Sequence, residues 1–117
     1  MAQSIRFVLR GVKGRVRQNF NFSAIKSPQA VVHVTAGEVK PSSSDSIVAG
    51  GAARQNFMYN LGDADVWVSN ISPHFNQHFP GEPGGVEFIL HVDFGSPLDV
   101  AVTITVEDLP PSEIQGF

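Results

Sequence analysis

The sequence contains no cysteine, which excludes disulfide bridges, thiol nucleophiles and thiolate metal sites together. It has no apolar run long enough to cross a membrane, so we expect no transmembrane segment. The first residues lack the apolar stretch behind a basic start that marks a secretory signal. Together these absences predict a cytoplasmic protein, with leaderless export as the alternative.

Signatures of catalysis are also missing. There is no Gly-x-Ser-x-Gly motif and no phosphate-binding loop, and the pair Gly50 and Gly51 lacks the spacing of a dinucleotide fingerprint. The nearest carboxylate pair, Asp63 and Asp65, lies in a turn, where aspartate is favoured because its side chain hydrogen-bonds to the local backbone. We therefore expect a protein without enzymatic activity and without a cofactor.

The most regular pattern that is present is an alternation of apolar and polar residues between positions 85 and 107. Alternation with period two indicates β-strands with one buried face. The connection at 95–97 contains Gly and Pro, which favours an antiparallel hairpin. The apolar positions are expected to form the core; they are Val86, Phe88, Leu90, Val92, Phe94, Val100, Val102, Ile104 and Val106.

Shorter alternating segments recur along the rest of the chain and are separated by turn residues, which gives about eight strands. The pattern predicts an all-β fold, a small antiparallel β-sandwich of jelly-roll or immunoglobulin-like kind, with a closed barrel as the main alternative. We expect one domain over residues 1–109 and a tail over 110–117, because Pro110 and Pro111 cannot continue a central strand.

Charge is distributed unevenly. Residues 1–40 carry a net charge of +6 and residues 41–117 a net charge of −9. Alternation over 4–10 and 15–22, with a glycine turn between them, predicts a basic N-terminal hairpin. Its cations are expected on one outer face, which either only discourages aggregation or binds an anion such as phosphate, sulfate or a lipid headgroup. These residues are Arg6, Arg10, Lys13, Arg15 and Arg17.

Exposed aromatic residues are not interleaved with these cations, so the sequence gives no strong signal for nucleic acid. Aromatic and amide residues are instead concentrated between positions 67 and 85. An aromatic platform beside amide groups is typical of a sugar site. The alternatives are that the aromatics close one end of the fold, or that they enter a membrane interface or a partner's groove. The candidate ligand-binding residues are Trp67, Asn70, His74, Phe75, Asn76 and His78.

Two of these residues also raise the question of a metal. His74 and His78 are four positions apart and would share one face of a helical turn, with Glu82 or His91 as a further ligand. Phe75 stands where the zinc-protease motif requires glutamate. Because no third ligand is fixed by the spacing, we expect no metal site.

Two functions follow from these observations. The first is a non-catalytic binding module that recognises a glycan or a lipid headgroup through the 67–85 region. The second is a self-assembling structural subunit, a homo-oligomer in which the basic hairpin of one copy contacts the acidic C-terminal half of the next. Ile114 and Phe117, apolar residues beyond two prolines, favour the second function because a neighbouring copy would cover them.

Overall fold

The computed structural model describes residues 2–41, 57–76, 84–107 and 111–116. Within these ranges all regular structure is β, which confirms the expected class. One of the short segments that the sequence predicts as strand, Ile47 and Val48, lies outside the described residues, as does the apolar Phe117. None of the described residues belongs to a helix able to cross a membrane. The seven strands are β1 (Gln3–Val12), β2 (Gly14–Asn21), β3 (Val32–Pro41), β4 (Phe57–Tyr59), β5 (Asp65–His74), β6 (Gly85–Asp93) and β7 (Leu98–Val106).

The strands form two antiparallel sheets. The four-stranded sheet has the order β1-β7-β3-β4, and the three-stranded sheet has the order β2-β6-β5. In the described part of the chain, β2 and β5 are therefore the edges of the smaller sheet, and β6 is its centre.

The two sheets share one apolar core. The inward residues of β6 in one sheet and of β7 in the other are almost completely buried in a common cluster, to which β3 and the segment after β2 also contribute. The inward positions predicted between 85 and 107 are confirmed as core except at Phe94, whereas Ile89 and Ala101, expected on the outer side, are also buried. Phe94 lies beyond the end of β6 and is 40 % exposed. The buried cluster comprises Ile25, Val34, Val86, Phe88, Leu90, Val92, Val100, Val102, Ile104 and Val106.

Both predicted hairpins are wrong. β6 pairs with β2 and β5, and β7 pairs with β1 and β3, so the 95–97 connection crosses from one sheet to the other. The β1–β2 connection crosses in the same way, with Gly11 and Gly14 at positive φ. Because the two strands joined by such a connection lie in different sheets, their apolar faces cover the shared core from opposite sides. Alternation specifies which face of a strand is buried, but not which strand lies beside it.

β5 extends further than the sequence indicates. The Pro- and Gly-rich composition of 72–85 predicts a loop, but β5 continues to His74 across a bulge at Asn70 and Ile71, after which Ser72 pairs with Glu87. Asn70 has φ of 56°, which fits the tolerance of asparagine for the left-handed region. Pro73 is accepted because β5 is an edge strand in the described structure.

Residues 111–116 follow β7 as an exposed segment without a strand. Ile114 is half exposed. The division into one domain and a tail stays a prediction.

Candidate ligand-binding face

The outer face of the three-stranded sheet carries several of the side chains singled out from the sequence. Side chains at every second position of a strand point to the same side of a sheet. We call this surface the polar face. From β2 through β6 to β5 its rows are Arg15–His91–Trp67, Arg17–Ile89–Ser69, Asn19–Glu87–Ser72 and Asn21–Gly85–His74.

Trp67 is held flat against a neighbour on this face. Its indole stacks on the His91 imidazole, with ring centroids 4.6 Å apart and an interplanar angle of 4°. A hydrogen bond of 2.7 Å between Ser69 Oγ and His91 Nε2 fixes the imidazole in turn. Because β5 is an edge strand, the second face of the indole is turned away from the sheet, and Trp67 stays 45 % exposed. The result is an oriented aromatic surface open to solvent.

The bulge in β5 opens a pocket next to this aromatic surface. Two residues, Asn70 and Ile71, stand opposite the single residue Phe88, so the ladder between β5 and β6 is interrupted there. The Phe88 side chain is in the core, so the pocket meets this residue from its main-chain side. The pocket has a volume of about 160 Å³ and is lined by Arg17, Asn70, Ser72, Glu87, Phe88 and Ile89.

An ion pair between Arg17 Nε and Glu87 Oε2 lies on one side of the pocket. The hydrogen bond from Arg17 lowers the pKa of the Glu87 carboxyl, partial desolvation opposes that shift, and the charges of Arg17 and His74 add to it. The same bond raises the pKa of Arg17. Glu87 is therefore a carboxylate at neutral pH. The terminal amino groups of Arg17 have no protein partner among the described residues.

His74 lies across Gly85 and reaches the opposite strand. Its Nε2 is 2.6 Å from Asn19 Oδ1. A Cβ atom on Gly85 would lie 2.8 Å from the His74 ring and 2.7 Å from the Phe20 carbonyl oxygen, so this contact requires glycine. His74 ends a strand rather than lying in the helical turn that a metal pair with His78 would need, and His78 lies outside the described residues.

The remaining predicted residues flank the polar face. Phe75 is partly buried and Asn76 is exposed, both just beyond the end of β5.

Within the described ranges, no three His, Cys, Asp or Glu residues are grouped so that they could hold a metal ion.

The structure thus brings Trp67, Asn70 and His74 together with residues that sequence reasoning did not assign to the ligand site. The alternation in β6 indicated that Glu87 and His91 face outward, but the pairing that places them beside β5 could not be derived from it. The added residues are Arg17, Ser69, Ser72, Glu87, Ile89 and His91.

The basic residues do not form the single outer face that a hairpin would give. Arg6 and Arg10 lie on β1 in the four-stranded sheet, whereas Arg15 and Arg17 lie on β2 in the three-stranded sheet. Lys13 is in the connection between the two strands. The predicted common surface is therefore wrong, because the two strands belong to different sheets. Whether any of these residues binds an anion stays a prediction.

Besides Arg17, two of these cations have partners within the chain. Arg6 Nε donates to Thr103 Oγ1 at 2.7 Å, and its guanidinium carbon is 5.6 Å from the centre of the Tyr59 ring. Lys13 Nζ donates to the Gly95 carbonyl oxygen at 3.0 Å. These two cations are used in holding the fold together.

Comparison with protein-family models, with curated proteins and with solved structures gave no match. The function is therefore argued from the geometry of the polar face.

Proposed function

We propose that the protein is a non-catalytic glycan-binding module and that the polar face is its binding surface. The observation that carries this proposal is the oriented, half-exposed indole of Trp67 beside a polar pocket. A sugar ring has an apolar C–H face and a rim of hydroxyl groups, so it needs an aromatic surface and directional hydrogen-bonding groups together.

The fixed orientation of Trp67 favours binding. His91 stacks on one side of the indole and is itself held by Ser69, so little side-chain freedom is left to lose when a ligand arrives. Preorganisation of this kind lowers the entropic cost of association. An aromatic residue that served only to close the fold would be buried rather than half exposed.

The pocket supplies both kinds of hydrogen-bonding group. Arg17 and the Asn70 amide offer N–H donors, and the Glu87 carboxylate and the amide oxygen of Asn70 offer acceptors. The Ser72 hydroxyl donates to the Asn70 carbonyl oxygen at 3.1 Å and keeps its own oxygen as an acceptor. Sugar hydroxyls donate and accept, so a mixed lining is the suitable complement.

A glycan is favoured over a lipid headgroup by the distribution of charge. The cations that would contact an anionic membrane surface are divided between the two sheets, and the polar face itself carries carboxylates. Binding to a flat anionic surface gains from several cations acting together. The experiment that tests glycan binding therefore includes lipid vesicles as the alternative ligand.

We also propose the finer fold, in which the two sheets are the layers of a β-sandwich of jelly-roll or immunoglobulin-like kind. The proposal is supported by the shared core between the sheets and by connections that cross between them. Such packing would hold the polar face rigid from behind.

A glycan array tests the function, with anionic and neutral lipid vesicles as parallel probes. We expect at least one glycan to bind, and we expect Trp67→Ala to weaken that binding about tenfold or more, as for an interface Trp. The matched control is Tyr59→Ala, which removes an exposed aromatic from the other sheet and should leave binding unchanged. No glycan bound, binding indifferent to Trp67→Ala, or binding to vesicles alone would overturn the proposal.

The second candidate function is the self-assembling subunit. It is favoured by apolar side chains that are half exposed or more in the single chain, at Met58, Leu61 and Ile114. The chromatographic size at low and high salt tests it. A charge-driven assembly should dissociate as salt screens it, whereas a monomer at every salt concentration would exclude it.

A further inference from the structure

We infer that the ligand of the polar face is an uncharged oligosaccharide of at least two sugar rings, lying along β5. One ring would stack on Trp67, and the hydroxyls of a neighbouring ring would enter the bulge pocket. This inference rests on the proposed glycan binding and adds the ligand's charge, its minimum length and its direction on the sheet.

The charge follows from the pairing inside the pocket. The lining contains one guanidinium and one carboxylate, those of Arg17 and Glu87, and they bind each other. A carboxylated or sulfated sugar would have to compete with Glu87 for Arg17 while its own anion faced the Glu87 carboxylate. Two carboxylates in contact repel each other, and this repulsion would weaken binding of the acidic sugar. The lowered pKa of Glu87 means that protonation does not relieve this repulsion at neutral pH.

The surroundings of the pocket carry no excess of positive charge. Over its described length, the polar face carries the guanidinium groups of Arg15 and Arg17, and Lys13 immediately precedes β2. The face also carries three carboxylates, from Glu87 and from the facing pair Asp65 and Asp93. It therefore offers an anionic ligand no net attraction.

A neutral ring with adjacent hydroxyls complements the ion pair. The terminal amino groups of Arg17 donate, and the Glu87 carboxylate accepts. Two hydroxyls on neighbouring ring carbons can accept from one partner and donate to the other without separating them. The pocket therefore offers a diol a donor and an acceptor side by side, with Asn70 and Ser72 at the opposite rim.

The minimum length follows from the spacing along β5. On β6, the pocket residues Ile89 and Glu87 are two and four positions from His91, the partner of Trp67. At about 3.3 Å per residue, the pocket begins roughly 7 Å from Trp67 along the sheet and ends roughly 13 Å from it. A single pyranose ring cannot cover the indole and also fill the pocket. Because Trp67 and the pocket both adjoin the same strand, the sugar chain must run along β5.

Titration calorimetry with defined oligosaccharides tests the inference. The neutral probes are cello-, manno-, malto- and xylo-oligosaccharides of one to six rings, and the acidic probes are oligogalacturonides of the same lengths. We expect one neutral series to bind, with affinity rising at least tenfold between one ring and two or three rings and then levelling. The oligogalacturonides should bind at least tenfold more weakly than their neutral counterparts.

The outcomes separate this inference from the proposed function. Tighter binding of the acidic series, or monosaccharides that bind as well as trisaccharides, would overturn the inference while leaving glycan binding intact. Absence of binding by every probe and by the wider glycan array would overturn both.

Glu87→Gln provides a second test, because it removes the negative charge from the pocket and keeps the size of the side chain. The ratio of neutral to acidic affinity should fall by about threefold or more in this variant. Glu107→Gln is the matched control, since it removes a carboxylate that follows β7 in the other sheet and approaches His33 at 3.8 Å. The ratio in that control should match the wild type, and an equal fall in both variants would contradict a local role for Glu87.

Discussion

The outer faces of the two sheets follow the same alternation but use their polar residues differently. On the four-stranded sheet, Ser4 and Thr105 hydrogen-bond to each other at 2.8 Å, and Arg6 donates to Thr103. On the three-stranded sheet, Arg17 keeps its terminal amino groups open to solvent and Trp67 stays half exposed. Both faces pair polar side chains internally, but the second leaves guanidinium donors and a stacked indole exposed, as the proposed binding requires.

The bulge in β5 contributes to this difference. On the four-stranded sheet, Thr35 and Thr103 are direct cross-strand neighbours, so short side chains meet their counterparts. On the three-stranded sheet, the extra residue at Asn70 and Ile71 interrupts the ladder beside Phe88. A bulge at a sheet edge re-aims side chains and leaves space between strands.

β1 has a similar bulge, at Arg10 and Gly11 opposite Asp99, but there the Gly11 N–H donates to the Asp99 carboxylate at 2.9 Å. The two sheets therefore differ in what adjoins the bulge, a side-chain hydrogen bond in β1 and the pocket in β5.

The largest expected effect in this comparison comes from glycine substitutions, since each face has a ring lying over a glycine. At Gly85 a Cβ atom would meet the Phe20 backbone as well as His74, whereas at Gly37 it would approach only the Tyr59 ring, at 3.0 Å. We expect Gly85→Ala to lower the free energy of unfolding by about 2–3 kcal/mol, because a backbone clash cannot be relieved by a rotamer change.

Gly37→Ala is the matched control and should cost less than about 1 kcal/mol, because the exposed tyrosine can move aside. Denaturant unfolding of both variants measures the difference. Equal losses of unfolding free energy would show that the His74–Asn19 contact does not require glycine at position 85.

An intermediate effect is expected at the bulge. Asn70→Val forces a β-branched residue to φ of 56° and should destabilise the fold by about 1–2 kcal/mol. Asn70→Gly should leave stability within about 0.5 kcal/mol of the wild type, because glycine adopts this conformation freely. Chemical denaturation checks both, and a valine variant as stable as the glycine variant would show that the bulge does not have the described conformation.

The smallest effect concerns the dependence of stability on pH. The lowered pKa of Glu87 means that its pairing with Arg17 stabilises the fold fully above the unfolded carboxyl value of about 4.3. That stabilisation is lost as the pH falls through the lowered native value. We therefore expect the Tm difference between the wild type and Arg17→Gln to be present at pH 7 and to shrink toward pH 3.

Arg6→Gln is the control for this measurement, because Arg6 bonds to a hydroxyl group rather than to a carboxylate. The Tm difference between Arg6→Gln and the wild type should therefore stay the same from pH 7 to pH 3. A difference for Arg17→Gln that stays constant down to pH 3 would contradict the ion pair.

Much of the fold could be predicted from local alternation. Val86 to Val92 and Val100 to Val106 are buried at every second position as expected, because the period of a strand determines which side chains share a face. Strand pairing could not be predicted. The glycine and proline at 95–97 are compatible with a hairpin and with a crossing, and only the shared core favours the crossing.

The candidate site was predictable only in part, because residue type can be read from the sequence but strand register cannot. Trp67 and Asn70 could be selected by residue type, since aromatic and amide groups are the usual components of a sugar site. Arg17 and Glu87 are 70 positions apart in the chain and meet only through the β2–β6 register. His74 falls in the Pro- and Gly-rich segment 72–85, whose composition predicts a loop, although an edge strand accepts a proline such as Pro73.

Trp67 is the single tryptophan of the chain, so its fluorescence reports directly on the polar face. The most direct measurement is a titration of the protein with the neutral oligosaccharides, followed by tryptophan emission. We predict a saturable change in emission with a neutral series, and a change with oligogalacturonides of the same length only at concentrations at least tenfold higher. Calorimetric binding of a sugar that leaves the emission unchanged would place the ligand elsewhere and contradict the account.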